Sequence, residues 1–151
     1  MFRSPCAVPE ESPHTPPRVP AFEMSVQSTH GAFEVDGIHT EVLVSDYGNR
    51  VMVLATQIGK LGTMYLTVDP GPGGAVGPEP PEVRTLTGRH DDEMLEAAAR
   101  RLAQVVQSRG CDKPVLVSLG LRPKLDVGTL RGVVRAASDF ATDSLGLAPR
   151  A

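Results

Sequence analysis

Gly59-Lys60-Leu61-Gly62-Thr63 is the stretch nearest to a chemical motif, since glycines around a lysine are how a loop cradles a phosphate. A phosphate-binding loop needs a glycine five residues ahead of its Gly-Lys pair, and Leu54 stands there. It also needs Ser or Thr directly after the lysine, where Leu61 stands, and a helix behind it, whereas a strand follows. A tight turn whose glycines take positive φ accounts for the segment better. Asp69-Pro70-Gly71-Pro72-Gly73-Gly74 fails as a cofactor loop, because the prolines interrupt any row of N–H donors. The histidines His14, His30, His39 and His90 have no metal-ligand spacing. His90 beside Asp91 and Asp92 could form an acid–base pair, but a solvated helix entrance explains it as well. Cys111 has no histidine close in sequence to activate it, and no serine sits in a Gly-x-Ser-x-Gly context. These residues call for no cofactor and no metal. They favour an interaction module over an enzyme, with a small hydrolase or isomerase using His39 or His90 as the competing idea.

Composition narrows the field further. The chain has 151 residues, room for one ordinary domain. Its formal charge is −3, so it has no basic field for a polyanion and nucleic acid is an unsuitable partner. Only 4% of residues are aromatic, so any core is aliphatic. Cys6 and Cys111 cannot make a disulfide framework, and no apolar run reaches the roughly 18 residues of a membrane span. The first residues lack a continuous apolar stretch and include Glu10 and Glu11, unlike a targeting peptide. The expectation is a cytoplasmic protein with no membrane contact.

The elements that would position these residues follow from periodicity. Six prolines fall in the first twenty residues and five between Asp69 and Glu82, the latter among four glycines. Proline lacks the backbone donor and glycine is costly to order. Residues 1–27 are therefore expected to be a disordered Pro-rich extension, and 69–82 a mobile Pro/Gly-rich loop inside a single domain spanning 28–143. Strands are predicted at Ala32–Val35, Ile38–Tyr47, Arg50–Ile58 and Thr63–Val68. Asp36-Gly37, Gly48-Asn49 and Gly59–Gly62 separate them as turns, which predicts an antiparallel meander. Val83–Leu86 adds a short strand and Lys113–Leu121 a sixth. A helix is predicted where Met94, Leu95, Ala98, Leu102, Val105 and Val106 form an apolar stripe, stopped by Gly110. A second helix runs from Val127 to Phe140 with Asp126 as its N-cap, and residues 144–151 form a frayed tail. The fold class is α+β: an antiparallel sheet of about six strands with two helices.

One anomaly carries functional weight. Val51-Met52-Val53-Leu54-Ala55 is apolar on both faces of its strand, and 115–121 behaves similarly. If both helices cover one face, the other needs a partner, and Met52 and Leu54 would lie on it. The alternative is that the helices split between the two faces.

The string Thr56-Gln57-Ile58-Gly59-Lys60-Leu61-Gly62-Thr63, at the end of an apolar strand and after Val35-Asp36-Gly37-Ile38-His39-Thr40-Glu41-Val42, resembles the proteasome assembly chaperone 3 family. The likeness extends over about residues 30–140, strongest over 50–68. The resemblance implies a non-enzymatic chaperone of 20S proteasome assembly that pairs with a related chaperone, number four, and supports α-subunits while the α-ring is built. It implies charged contacts to α-subunits through the loop, where Asp69, Glu79 and Glu82 are the charged residues; Gln57 and Lys60, at the strand end and turn, are further candidate partner contacts. A homodimer when the partner is absent, or a small dimeric adaptor unrelated to the proteasome, are the alternatives.

Overall fold

The computed structural model describes residues 26–68 and 81–147. The extension expected over 1–27, apart from its last two residues, and most of the 69–82 loop lie outside the described residues. So does the tail beyond Leu147.

The chain order is β1 (Gln27–Val35), β2 (Ile38–Asp46), β3 (Val51–Thr56), β4 (Thr63–Thr67), β5 (Val83–Thr87), α1 (Glu93–Ser108), β6 (Val115–Gly120) and α2 (Val127–Ser144). The class is α+β as predicted, with six strands among the described residues and two helices. β1 and β2 form the expected hairpin: Asp36 (φ 50°) and Gly37 (φ 77°) turn the chain with Val35 opposite Ile38. Asp-Gly suits this turn because both central residues need positive φ.

The meander breaks after β3. The sheet order is β1-β2-β3-β6-β4-β5, so β6 inserts between β3 and β4 and runs parallel to β3. Segment 57–62 is thus a crossing over the end of β6 rather than a hairpin, spanning two strand spacings, about 10 Å. Local turn chemistry looks the same in either case. What decides it is β6 itself, whose Val115, Val117 and Leu119 are buried on one face and whose position in the middle of the sheet pairs both its edges.

Both helices pack on one side of the sheet and against each other. Beneath them Val42, Val44, Val53, Ala55, Tyr65, Val117 and Leu119 are almost wholly buried. Asp92 caps α1, its Oδ1 accepting from Leu95 N–H at 3.0 Å, and Asp126 caps α2, accepting from Thr129 N–H at 2.8 Å. The α1 stripe is rotated from the one predicted: Ala98, Ala99, Leu102, Ala103 and Val106 face the core, while Met94 stays 46% exposed and Val105 half-buried. Small alanines against the sheet let the helix approach closely, which pattern alone did not single out. The end of α2 is closed, not frayed. Gly146 (φ 65°) donates to the Asp143 carbonyl and Leu147 to that of Thr142, a Schellman turn, and Leu145 and Leu147 pack on the core. No helix of the described residues is long and apolar enough to cross a membrane.

Candidate partner-binding surface

The sheet face opposite the helices has no cover among the described residues. The strand register sets its side chains in rows. Ser45, Met52, Leu116 and Leu66 form one row across β2, β3, β6 and β4, and Leu43, Leu54, Ser118 and Met64 form the next. The six large residues are all Leu or Met and all half-buried. Ser118 and Ser45 sit low between them. The Ser118 hydroxyl donates to the Leu61 carbonyl, and Ser45 exchanges a hydrogen bond with Ser28 at 2.8 Å. With its polar groups satisfied internally, the surface offers a partner chiefly apolar area. Leu86 on edge strand β5 (48% exposed), and Ile58 and Leu61 on the crossing, are apolar and open as well.

The crossing over β6 explains the residues of the Thr56–Thr63 string one by one. Thr56 Oγ1 donates to the Lys60 carbonyl at 2.9 Å and accepts from the N–H groups of Ile58 and Lys60 at 3.3 and 3.2 Å. Gln57 N–H donates to the Gly120 carbonyl, its Nε2 donates to Thr40 Oγ1 at 3.2 Å, and its Oε1 accepts from Arg122 N–H at 3.2 Å. Gly59 takes φ 69° in open space, whereas Gly62 takes φ 68° pressed on β6. A side-chain carbon there would collide with the Leu119 carbonyl oxygen. Thr63 is buried, and its Oγ1 accepts from Arg89 N–H. The N–H groups a phosphate would need are thus turned inward onto Thr56. The geometry is that of a clasp.

The partner-contact residues expected from sequence fall into separate places. Met52 and Leu54 share the open face, one strand from Leu116 and Leu43. Lys60 is exposed on the crossing, and the Gln57 side chain is spent holding it. Glu82 is exposed at the start of β5, beside the other end of the sheet, since Val83 pairs with Thr67 and Val115 N–H donates to Thr67 Oγ1. Asp69 and Glu79 lie outside the described residues. Leu43, Met64, Leu66 and Leu116 complete the open face but were not among the expected contacts. The available signal was residue type: Leu and Met on this face, Val on the other.

Among the described residues no acid–base centre forms around His30, His39 or His90. His30 and His39 both approach Glu41 Oε1, at 3.6 and 3.8 Å, but on the exposed β1–β2 ribbon rather than in a cavity. Burial pushes the Cys111 thiol up, away from its reactive form. Tyr65, wedged under α1, is pushed up to about 12, first by burial and then by the nearby carboxylates Asp92 and Glu96. Its hydroxyl has no hydrogen-bond partner among the described residues. Asp46 is held below its ordinary value by the Gly48 N–H and then by Lys113, whose Nζ lies 3.0 Å away. Among the described residues no group of three metal-ligating side chains gathers.

Comparison with known proteins finds likenesses of sequence and of fold. A family model described as proteasome assembly chaperone 3 matches residues 53–139, more than half of the chain. A Bos taurus protein described as proteasome assembly chaperone 3 is 26% identical over 90 residues, covering 60% of this chain and 73% of that protein. A crystal structure described as a novel chaperone complex for yeast 20S proteasome assembly superposes with a TM-score of 0.57. It covers 80% of this chain and 98% of that chain at 14% identity, a likeness of fold.

Proposed function

Because the chain belongs to the proteasome assembly chaperone 3 family, a family of non-enzymatic chaperones, we propose that it assists assembly of the 20S proteasome as one half of a dimer. The observation that carries this reading is the uncovered sheet face: two helices on one side, two rows of Leu and Met on the other. Burying such a face is worth roughly 25 cal/mol per Å² of apolar surface, so a second sheet is its natural cover. The proposed partner is a related chaperone, number four, with a second copy of this chain as substitute when it is absent. The dimer would then hold proteasome α-subunits during α-ring formation, in the cytoplasm. Met52 and Leu54 are the proposed dimer contacts. Lys60, on the crossing that Gln57 steadies, and the loop charges Asp69, Glu79 and Glu82 are the proposed contacts to α-subunits.

Co-expression of the tagged chain with the related chaperone and with individual α-subunits tests this, read by mass determination of the purified complex. The expected result is a heterodimer that retains an α-subunit, and a Leu54→Asp chain that stays folded yet elutes alone. A wild-type chain that remains monomeric with every partner offered would overturn the reading.

A further inference from the structure

On the opposite side of the molecule, α1 and α2 lie side by side with both N-termini at one end and Arg109 of the first reaching Asp139 of the second at 3.5 Å. Between them runs an open groove of about 790 Å³. Its floor is apolar: Ala97, Ala98 and Val105 from α1, Leu130 and Val134 from α2, with Met94 46% and Val127 50% exposed at the entrance. This is where the unused half of the α1 stripe went.

The rim has a different chemistry. Arg101 and Arg109 of α1 and Arg131 and Arg135 of α2 line the groove, and Asp139 is the single acidic residue facing them. Among the described residues Arg101 bonds only the neutral Gln104, and Arg131 and Arg135 make no ion pair. Arg101, Arg131 and Arg135 thus border an apolar trough without an ion pair, the one carboxylate of the groove, Asp139, being paired with Arg109, in a chain whose net charge is −3. Segregating the basic groups onto one groove raises the local attraction for an anion well above what the whole molecule exerts. A nucleic acid would meet the rim but leave the floor uncovered, and the acidic remainder of the protein would repel it. A segment carrying both carboxylates and aliphatic side chains would satisfy floor and rim together.

We propose that the α1–α2 groove is a second protein-docking site, taking an acidic amphipathic helix of a partner, with leucine-like anchors on the Met94–Val105 and Leu130–Val134 floor and carboxylates on Arg101, Arg131 and Arg135. The floor from Met94 to Arg109 is roughly 22 Å long at about 1.5 Å per residue, so it accommodates a helix of about 14 residues. Such a helix would lie in the seam as apolar anchors at i, i+3 and i+7 do in other helix grooves. Because the groove and the open sheet face lie on opposite sides, both can be occupied at once. This site stands or falls independently of what covers the sheet.

The test is anisotropy titration of the full chain with a fluorescent acidic leucine-bearing helical peptide of about 14 residues, with amide NMR spectra to locate it. Binding should saturate, move amides of α1 and α2, and leave those of β3 and β6 in place. It should weaken about tenfold or more when the peptide's glutamates become lysines, when its leucines become serines, or in Arg131→Glu/Arg135→Glu. Raising salt from about 0.05 to about 0.3 M should weaken it as well. Arg131 and Arg135 are exposed, so melting temperatures should be unchanged; Arg131→Gln/Arg135→Gln serves if the reversal does not fold. Failure of the peptide to bind, equal binding of the lysine peptide, amide changes on the open sheet face, or a single-stranded oligonucleotide binding as tightly would each overturn the proposal.

Discussion

The two faces of one sheet are built from the same strands and differ in residue type. Under the helices stand Val42, Val44, Val51, Val53, Val115 and Val117, each 2% exposed or less. On the open face stand Leu43, Met52, Leu54, Met64, Leu66 and Leu116. Valine has one strongly preferred χ1 and fits a core whose shape is settled when the chain folds. Leucine and methionine bend at more bonds and adapt to a neighbour that arrives later. The difference teaches that burial within the chain and burial by a partner leave distinct signatures on alternate residues of one strand.

The sharpest way to break this comparison is a carboxylate on each face. Val53→Asp puts an unpaired charge where nothing is exposed, and should cost on the order of 3–5 kcal/mol, enough to unfold the domain in thermal melts followed by circular dichroism. Leu54→Asp, one residue on, should change the melting temperature little while abolishing association. Equal destabilisation by the two would mean that the open face is ordinary core.

A smaller effect, again of a few kcal/mol, is expected where the crossing presses on β6. Gly62→Val combines positive φ with a collision against β6, whereas Gly59→Ala meets open space and should cost only about 1 kcal/mol. Urea midpoints of the two variants measure the gap. If Gly59→Ala were the worse, the clasp would be misread.

Tyr65→Phe removes a buried hydroxyl that has no partner among the described residues, so it should be neutral or stabilise by about 1 kcal/mol. A loss of stability in calorimetry would show that the hydroxyl is bonded after all.

The smallest effect is electrostatic. Asp46 joins β2 to the start of β6 through Lys113, and its carboxyl is held below the ordinary value of 3.8, first by the Gly48 N–H and then by Lys113. A lowered folded value means that its stabilisation is complete above the ordinary carboxylate value and disappears as pH falls through the folded one. With both side chains one-third exposed, the contribution is about 0.5–1 kcal/mol. Melting temperatures of wild type and Asp46→Asn should differ at neutral pH and converge only once the pH falls below the lowered value of the folded carboxyl. A difference that persists there would point to packing instead.

Much of this was legible in the amino-acid sequence, because the deciding forces are local. Asp36-Gly37 makes its hairpin, Asp92 and Asp126 start helices where helical periodicity begins, and the unbroken apolar run along 51–55 marks a strand needing cover on both sides. Helix and strand periods, caps and turn residues act over a few positions and can be read there. What only the tertiary structure decided is pairing across distance. The glycines of 59–62 would serve a hairpin or a crossing equally, and it took β6, more than fifty residues later, to enter between β3 and β4. The same holds for the side of the sheet the helices take and for the rotation of α1, which sends Ala99 and Ala103 inward and leaves Met94 and Val105 to a groove. These choices rest on how closely surfaces fit once they meet, a sum over contacts far apart in sequence, and no short window of residues contains that sum.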